Sequence, residues 1–157
     1  MLPAQRQHIE QSWAIAAAAP DELARCFYAR LFEIDSVAAR LFATTDMDAQ
    51  RAKFVAMLDT VVGAIDEPRA LVHGLAALGR RHAACGATEQ HYASVGEALL
   101  AALGTTLGPA FTPDARLAWS EAYALVAAVM RRAGDRSPRD GAPSDRHSPP
   151  TREATDD

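Results

Sequence analysis

The chain holds only two cysteines in 157 residues, Cys26 and Cys85, far apart and in no CxxC pair. That argues against a disulfide scaffold and fits buried thiols in a reducing compartment. No apolar run approaches the ~18 residues that a membrane span needs. The start, Met1-Leu2-Pro3-Ala4-Gln5-Arg6, leads into no apolar signal region, so a cytoplasmic protein without membrane contact is expected. No stretch alternates Val, Ile or Thr with period two, which leaves no case for strands. Lys and Arg form no stripe and the net charge is −4, which speaks against nucleic acid as a partner. Internal repeats are absent as well.

What is present favours helix. Hydrophobic residues make up 49% and charged residues 23%, an ordinary soluble balance with a strong alanine bias. The length suits one domain with a substantial core. A first helix is expected over roughly 5–18, with Ile9, Trp13 and Ala16 on one side, ending before Pro20. A second, over roughly 21–34, carries Leu23, Phe27, Leu31 and Ile34, with Tyr28 at the edge of the stripe. Asp35-Ser36 breaks it and can cap a short helical turn through Leu41-Phe42. Thr45-x-x-Asp48 resembles a capping box with Asp in place of Glu, opening a helix to about Ile65. Asp66-Glu67-Pro68 opens the next, which stops at Gly86 as a left-handed cap. Thr88 to Leu107 follows, with Tyr92, Val95, Leu99 and Leu103 on one face. Thr112-Pro113 starts the last helix, whose buried face reads Ala115, Trp119, Ala122, Val126, Met130. From Gly134 onward there are four prolines, many charges and no Val, Ile, Leu, Phe or Met. Such a segment cannot bury enough area to order itself, so the expected division is a folded domain over 1–133 and a disordered tail over 134–157.

Two stripes contain a polar exception. One reads Leu71, Leu75, Leu78, His82, Cys85; the other reads Gln50, Phe54, Met57, Leu58, Val61, Ile65. Residues three and four apart share a helix face, so His82 and Gln50 point where a core belongs. An unpaired polar group there costs roughly 1–3 kcal/mol, and a metal cofactor between the two helices would satisfy both. The bland alternative for a lone histidine in such a face is a hydrogen-bonded core residue. Tyr28 can likewise bury its ring and bond a backbone carbonyl, Gln50 can sit at a rim, and Lys53 can be merely solvated. His73 matches no ligand role; His91 reads as a surface or capping residue, and His8 and His147 as exposed. The cysteines read as packing residues, with Cys85, one turn from His82, the one of interest.

Several strings in collinear order narrow the choice. Phe27-Tyr28-Ala29-Arg30-Leu31-Phe32, Leu41-Phe42, Gln50-x-x-Lys53 and Leu78-Gly79-Arg80-Arg81-His82 resemble the globin family. The stretch from Leu107-Gly108-Pro109-Ala110-Phe111-Thr112-Pro113 through Ala118-Trp119 to Tyr123 is most similar to neuroglobin and its single-domain bacterial relatives. The resemblance covers roughly 5–133 and implies an all-α globin fold of about seven helices around one haem b. His82 then matches the proximal iron ligand, its other N–H seeking a backbone or hydroxyl acceptor. Phe42 matches the phenylalanine that wedges the haem, Tyr28 and Gln50 match the two distal positions, and Phe54 closes that pocket. Lys53 and Arg81 match rim positions able to pair with propionates. Tyr92, Val95 and Tyr123 match the other wall.

The implied activity is reversible binding of O2, and of CO or NO, at ferrous iron, with NO dioxygenase or nitrite reductase as possible side activities. Turnover would need an external reductant or reductase, since these residues hold no reductase domain. Two positions depart from the pattern. Gln50 stands where most neuroglobins have a ligating histidine, so an open ferrous site is expected, with Lys53 the only nearby substitute. Flavohaemoglobins pair a tyrosine with a glutamate behind the proximal histidine; Tyr92 and Tyr123 match, but the glutamate position reads Gly134. Rival readings are a globin-fold gas or redox sensor acting through a partner, and a helical globin without haem. A monomer or weak homodimer is expected.

Overall fold

The computed structural model describes residues 1–136, and within them the chain is helical with no strand. Seven helices follow in order: α1 (Pro3–Ala16), α2 (Pro20–Ile34), α3 (Ser36–Leu41), α4 (Met47–Gly63), α5 (Pro68–Ala84), α6 (Glu89–Leu107) and α7 (Pro113–Asp135). A single 3-10 turn, Gly108–Ala110, joins the last two. This is the expected all-α architecture. The remaining part of the expected tail, 137–157, lies outside the described residues; α7 itself continues through Gly134 to Asp135.

The helix starts follow local chemistry. Asp35 accepts the Ala38 N–H at 2.9 Å and caps α3, while Thr112 accepts from Ala115 and caps α7. The start of α4 differs from expectation. Asp46, not Thr45, supplies the cap, taking the Asp48 and Ala49 N–H groups. Its carboxylate is the stronger acceptor for two N–H groups at the positive end of a helix dipole. Gly86, at φ 87°, ends α5 in the left-handed region as its position implied.

The core is one continuous cluster. Ile9, Trp13 and Ala16 of α1, Leu23, Phe27 and Leu31 of α2, Phe54 and Leu58 of α4, Leu99 and Leu103 of α6, and Trp119 of α7 interlock in it. Phe27 and Phe54 stack with centroids 4.0 Å apart and planes at 12°, which ties α2 to α4. The two buried indoles meet at 6.2 Å and both N–H groups are satisfied. Trp13 donates to Asp59 at 2.9 Å, and Trp119 donates to Ser12 at 2.8 Å. Helix α2 lies along α6 and α4, whereas α5 takes nearly all of its support from α7. The apolar face of α5 therefore stands across a gap from α4.

That one-sided support rests on a close approach. A Cβ on Gly79 would lie 2.2 Å from the Met130 carbonyl oxygen, so only glycine lets the two backbones meet there. One turn further along α7, a Cβ on Gly134 would lie 3.0 Å from that of Ala83. A side chain at Gly134 would have to displace Ala83 or press on the Gly79 carbonyl. Cys26 is half-buried against the core as a packing residue, whereas Cys85 departs from that expectation and is exposed at the C-terminal cap of α5.

Candidate functional site

The gap between α4 and α5 is a cleft of about 130 Å³ that opens to solvent. Phe54, Met57, Leu58 and Val61 of α4 form one wall. Leu78 and His82 of α5 face it, and Tyr92, Val95, Leu99, Trp119, Tyr123 and Met130 close the back. The surface is almost wholly carbon, so the few heteroatoms within it decide what it can do.

His82 stands at the open side of this cleft. Its Nδ1 lies 2.9 Å from the Leu78 carbonyl oxygen. A carbonyl only accepts, so Nδ1 carries the proton and Nε2 is left as a lone-pair donor. The backbone acceptor expected from the sequence is therefore Leu78. Among the described residues no cluster of three or more His, Cys, Asp or Glu side chains could hold a bare metal ion. A single oriented imidazole in a broad apolar slot fits instead a flat macrocycle that brings its own metal and needs one axial ligand.

Beside the cleft sits a second group. Gln50 donates its amide N–H to the Tyr28 hydroxyl oxygen at 3.0 Å, which leaves the hydroxyl's own proton for another acceptor. Burial raises the Tyr28 pKa above its ordinary value, opposed by the Gln50 bond and by Arg51, so the hydroxyl stays a proton donor at neutral pH. The Tyr28 ring meets Phe54 at 5.7 Å, Phe42 at 5.6 Å and Phe32 at 5.8 Å. Phe54 belongs to both groups and joins them. Lys53 is exposed on α4 and lies outside both, and Arg81 is exposed on α5.

The back wall is held by one bond and one glycine. The Tyr123 hydroxyl donates to the Tyr92 carbonyl at 2.5 Å, and burial moves the Tyr123 pKa far up. A Cβ on Gly96 would lie 2.6 Å from Cε1 of Tyr123, so glycine makes the space for that ring. Sequence reading missed Gly79 and Gly96, whose constraint lies on the opposing helix, and it missed His91 as a cleft residue. His91 does cap: its Nδ1 accepts the Thr88 N–H at 3.0 Å. It also lines the cleft, half-buried.

A globin family model matches residues 25–130. Neuroglobin of Danio rerio is 36% identical over 118 residues, covering 67% of this chain and 74% of that protein. Neuroglobin of Tetraodon nigroviridis is 35% identical over the same length, with the same coverage. Among solved structures, a hexacoordinated heme protein from an anhydrobiotic tardigrade superposes with a TM-score of 0.76 at 18% identity. It covers 86% of this chain and 96% of its own. A Pseudomonas aeruginosa PAO1 protein described as highly homologous in structure to a human hemoglobin gives 0.70 at 24% identity, covering 82% and 97%. The structural likenesses establish the fold; the family match and the neuroglobin identities place this chain in the globin family, with neuroglobin its sequence likeness there.

Proposed function

We propose that the protein is a haem b globin that reversibly binds a diatomic gas, with His82 as proximal ligand and Tyr28 and Gln50 as distal donors. Globin membership supports haem and a gas ligand in general. The observation that carries the residue assignment is the oriented His82 ring, proton on Nδ1 and lone pair on Nε2, in the apolar α4–α5 cleft. When bound, the haem supplies a ferrous iron for O2, CO or NO and, with an external reductant, the chemistry of NO dioxygenase or nitrite reductase.

The chain's own residues do the rest. Leu78 holds the His82 tautomer and strengthens Nε2 as a base. Phe54, Met57 and Val61 exclude water from the α4 side. Gln50 steadies the Tyr28 hydroxyl by donating to it, so the tyrosine proton is free to meet a partly negative ligand. Phe42, packed against Tyr28 and Phe32, is the aromatic wedge at the α3 corner. Tyr92, Val95 and Tyr123 form the rear wall. No carboxylate stands at Gly134 to draw on the His82 proton, so the proximal imidazole has less imidazolate character. Lys53 remains a rim residue in this account.

Haemin titration tests the assignment. The full chain is expected to bind one equivalent with a sharp Soret band. His82→Ala is expected to lose the ferric low-field signature of imidazole ligation while keeping its helical circular dichroism. An unaltered spectrum in His82→Ala would remove His82 from the site.

A further inference from the structure

Asp35, at the corner between α2 and α3, is 7% exposed and uses only half of its carboxylate. Oδ1 accepts the Ala38 N–H at 2.9 Å, whereas Oδ2 is buried and, among the described residues, has no hydrogen-bond partner. The Ala38 bond is the main reason that the carboxyl lies below the usual carboxylate range, and Ser94 and His91 of α6 act on it in the same direction. Those two residues stand three apart and share one face of α6, so the carboxylate lies against that face. Neither satisfies Oδ2. The Ser94 hydroxyl gives its proton to the Gln90 carbonyl at 3.0 Å. A buried anionic oxygen without a donor is costly, and a donor brought to it would be held firmly.

His91 is half-buried in the first turn of α6 and lines the cleft. Its Nδ1 accepts the Thr88 N–H at 3.0 Å, with the Thr88 hydroxyl at 3.3 Å. An Nδ1 that accepts carries no hydrogen, so the neutral ring bears its proton on Nε2. A second proton can then go only to Nδ1. The atom that titrates is the atom that caps, and protonation excludes the Thr88 bond. The other charges around this turn are engaged elsewhere. Glu89 of α6 is taken by Arg131 of α7 at 2.9 Å, and Asp135 of α7 acts on Tyr92. Glu33 and Glu97, on α2 and α6, share Arg30. On α5, Arg81 is exposed and the Nδ1 proton of His82 goes to Leu78.

We propose that His91 and Asp35 form a proton-operated latch: the neutral ring caps α6 through Nδ1, and the protonated ring leaves that cap to donate to the vacant Oδ2 of Asp35. Asp35 stays an anion through the range in which imidazoles change charge. The positive end of α6 opposes a cation in its first turn. The charge-assisted bond to a buried carboxylate outweighs both that opposition and the neutral cap it replaces. Protonation thereby withdraws one side chain from the cleft lining. It also frees the turn that carries Tyr92, whose carbonyl anchors the Tyr123 hydroxyl of the rear wall. Mild acid therefore loosens the α6 side of the cleft. The latch is built from the chain's own groups and stands whether or not the haem reading does.

Proton–nitrogen correlation spectra of the 15N-labelled full-length protein between pH 8 and 5 test this. Reduction and CO saturation keep the spectrum diamagnetic with haem or without it. In the parent chain the Thr88 amide proton is expected to move upfield as its hydrogen bond is lost, in step with the His91 ring signals. Asp35→Asn and Asp35→Ser each keep a capping oxygen for α3 but remove the charge. Both are expected to need a proton concentration about tenfold higher for the same step. His91→Gln keeps a Thr-x-x-Gln capping box that cannot titrate, and its Thr88 amide is expected to stay in place throughout. A Thr88 amide that ignores titration of the His91 ring would overturn the latch. So would a step at the parent's pH in both Asp35 variants, or one that persists in His91→Gln.

Discussion

Tyr28 shows how one side chain is set for its task by burial and by a neighbour. Its hydroxyl accepts from Gln50 and keeps its own proton. A hydrogen bond to a charged acceptor is worth ~1.5–3 kcal/mol, so Tyr28→Phe is expected to speed O2 dissociation by roughly ten- to a hundredfold, measured by stopped-flow displacement with CO. An unchanged rate would take Tyr28 out of the distal role. All three tyrosines of the chain, Tyr28, Tyr92 and Tyr123, have pKa values raised, first of all by burial. A raised folded pKa stabilises fully below the unfolded value of about 10, and that stability is lost as pH rises through the folded values. Tyrosinate absorbance is therefore expected to lag that of free tyrosine and then to appear together with loss of helical circular dichroism. A tyrosine titrating near its ordinary value in the folded protein would contradict this. At this scale the sequence was legible where type and spacing carry the message. His82, Tyr28, Gln50 and Phe54 all stand in or beside one cleft. Lys53 and His91 were not legible, because which of two surface-capable side chains reaches the cleft depends on helix rotation and corner geometry.

Elements were legible wherever their ends are written in caps. Thr112 and Asp35 stand where the pattern put them, and Gly86 closes α5. Asp46 displaced Thr45 because two acceptable caps stand side by side and the carboxylate is the stronger acceptor for the two N–H groups. The crossing of α5 on α7 was hidden altogether. Gly79 reads as an ordinary helical glycine until Met130 is seen against it. Gly79→Ala has no flexible side chain to push aside, only the Met130 backbone. It is expected to destabilise by about 1–3 kcal/mol, read as a lower midpoint in urea, and to weaken haemin retention because α5 carries His82. A variant as stable as the parent would show that α5 does not depend on this contact. Gly96→Ala presses instead on the Tyr123 ring, which can turn; its cost is expected to fall on the 2.5 Å bond to Tyr92.

At the scale of the molecule, the interlocked body of α1, α2, α4, α6 and α7 forms one core, and α5 is set against it through α7. That arrangement opens the cleft and places an oriented imidazole along it. We propose that the globin domain needs nothing beyond α7, so a chain ended after Arg136 is expected to take up haemin as the full chain does, with equal affinity in a Soret titration. A weaker affinity would give the last residues a part in the site. The number and order of helices were legible from apolar periodicity, whereas the depth of the cleft was not, since it arises from which helices fail to touch.

The central claim is an open gas site between His82 and the Tyr28–Gln50 pair, and the absorption spectrum of the dithionite-reduced haem protein, without gas and then with CO, tests it most directly. The account predicts a five-coordinate high-spin ferrous spectrum that shifts promptly on adding CO. A six-coordinate low-spin ferrous spectrum that yields slowly to CO would contradict it, revealing an internal sixth ligand, with Lys53 the first residue to replace.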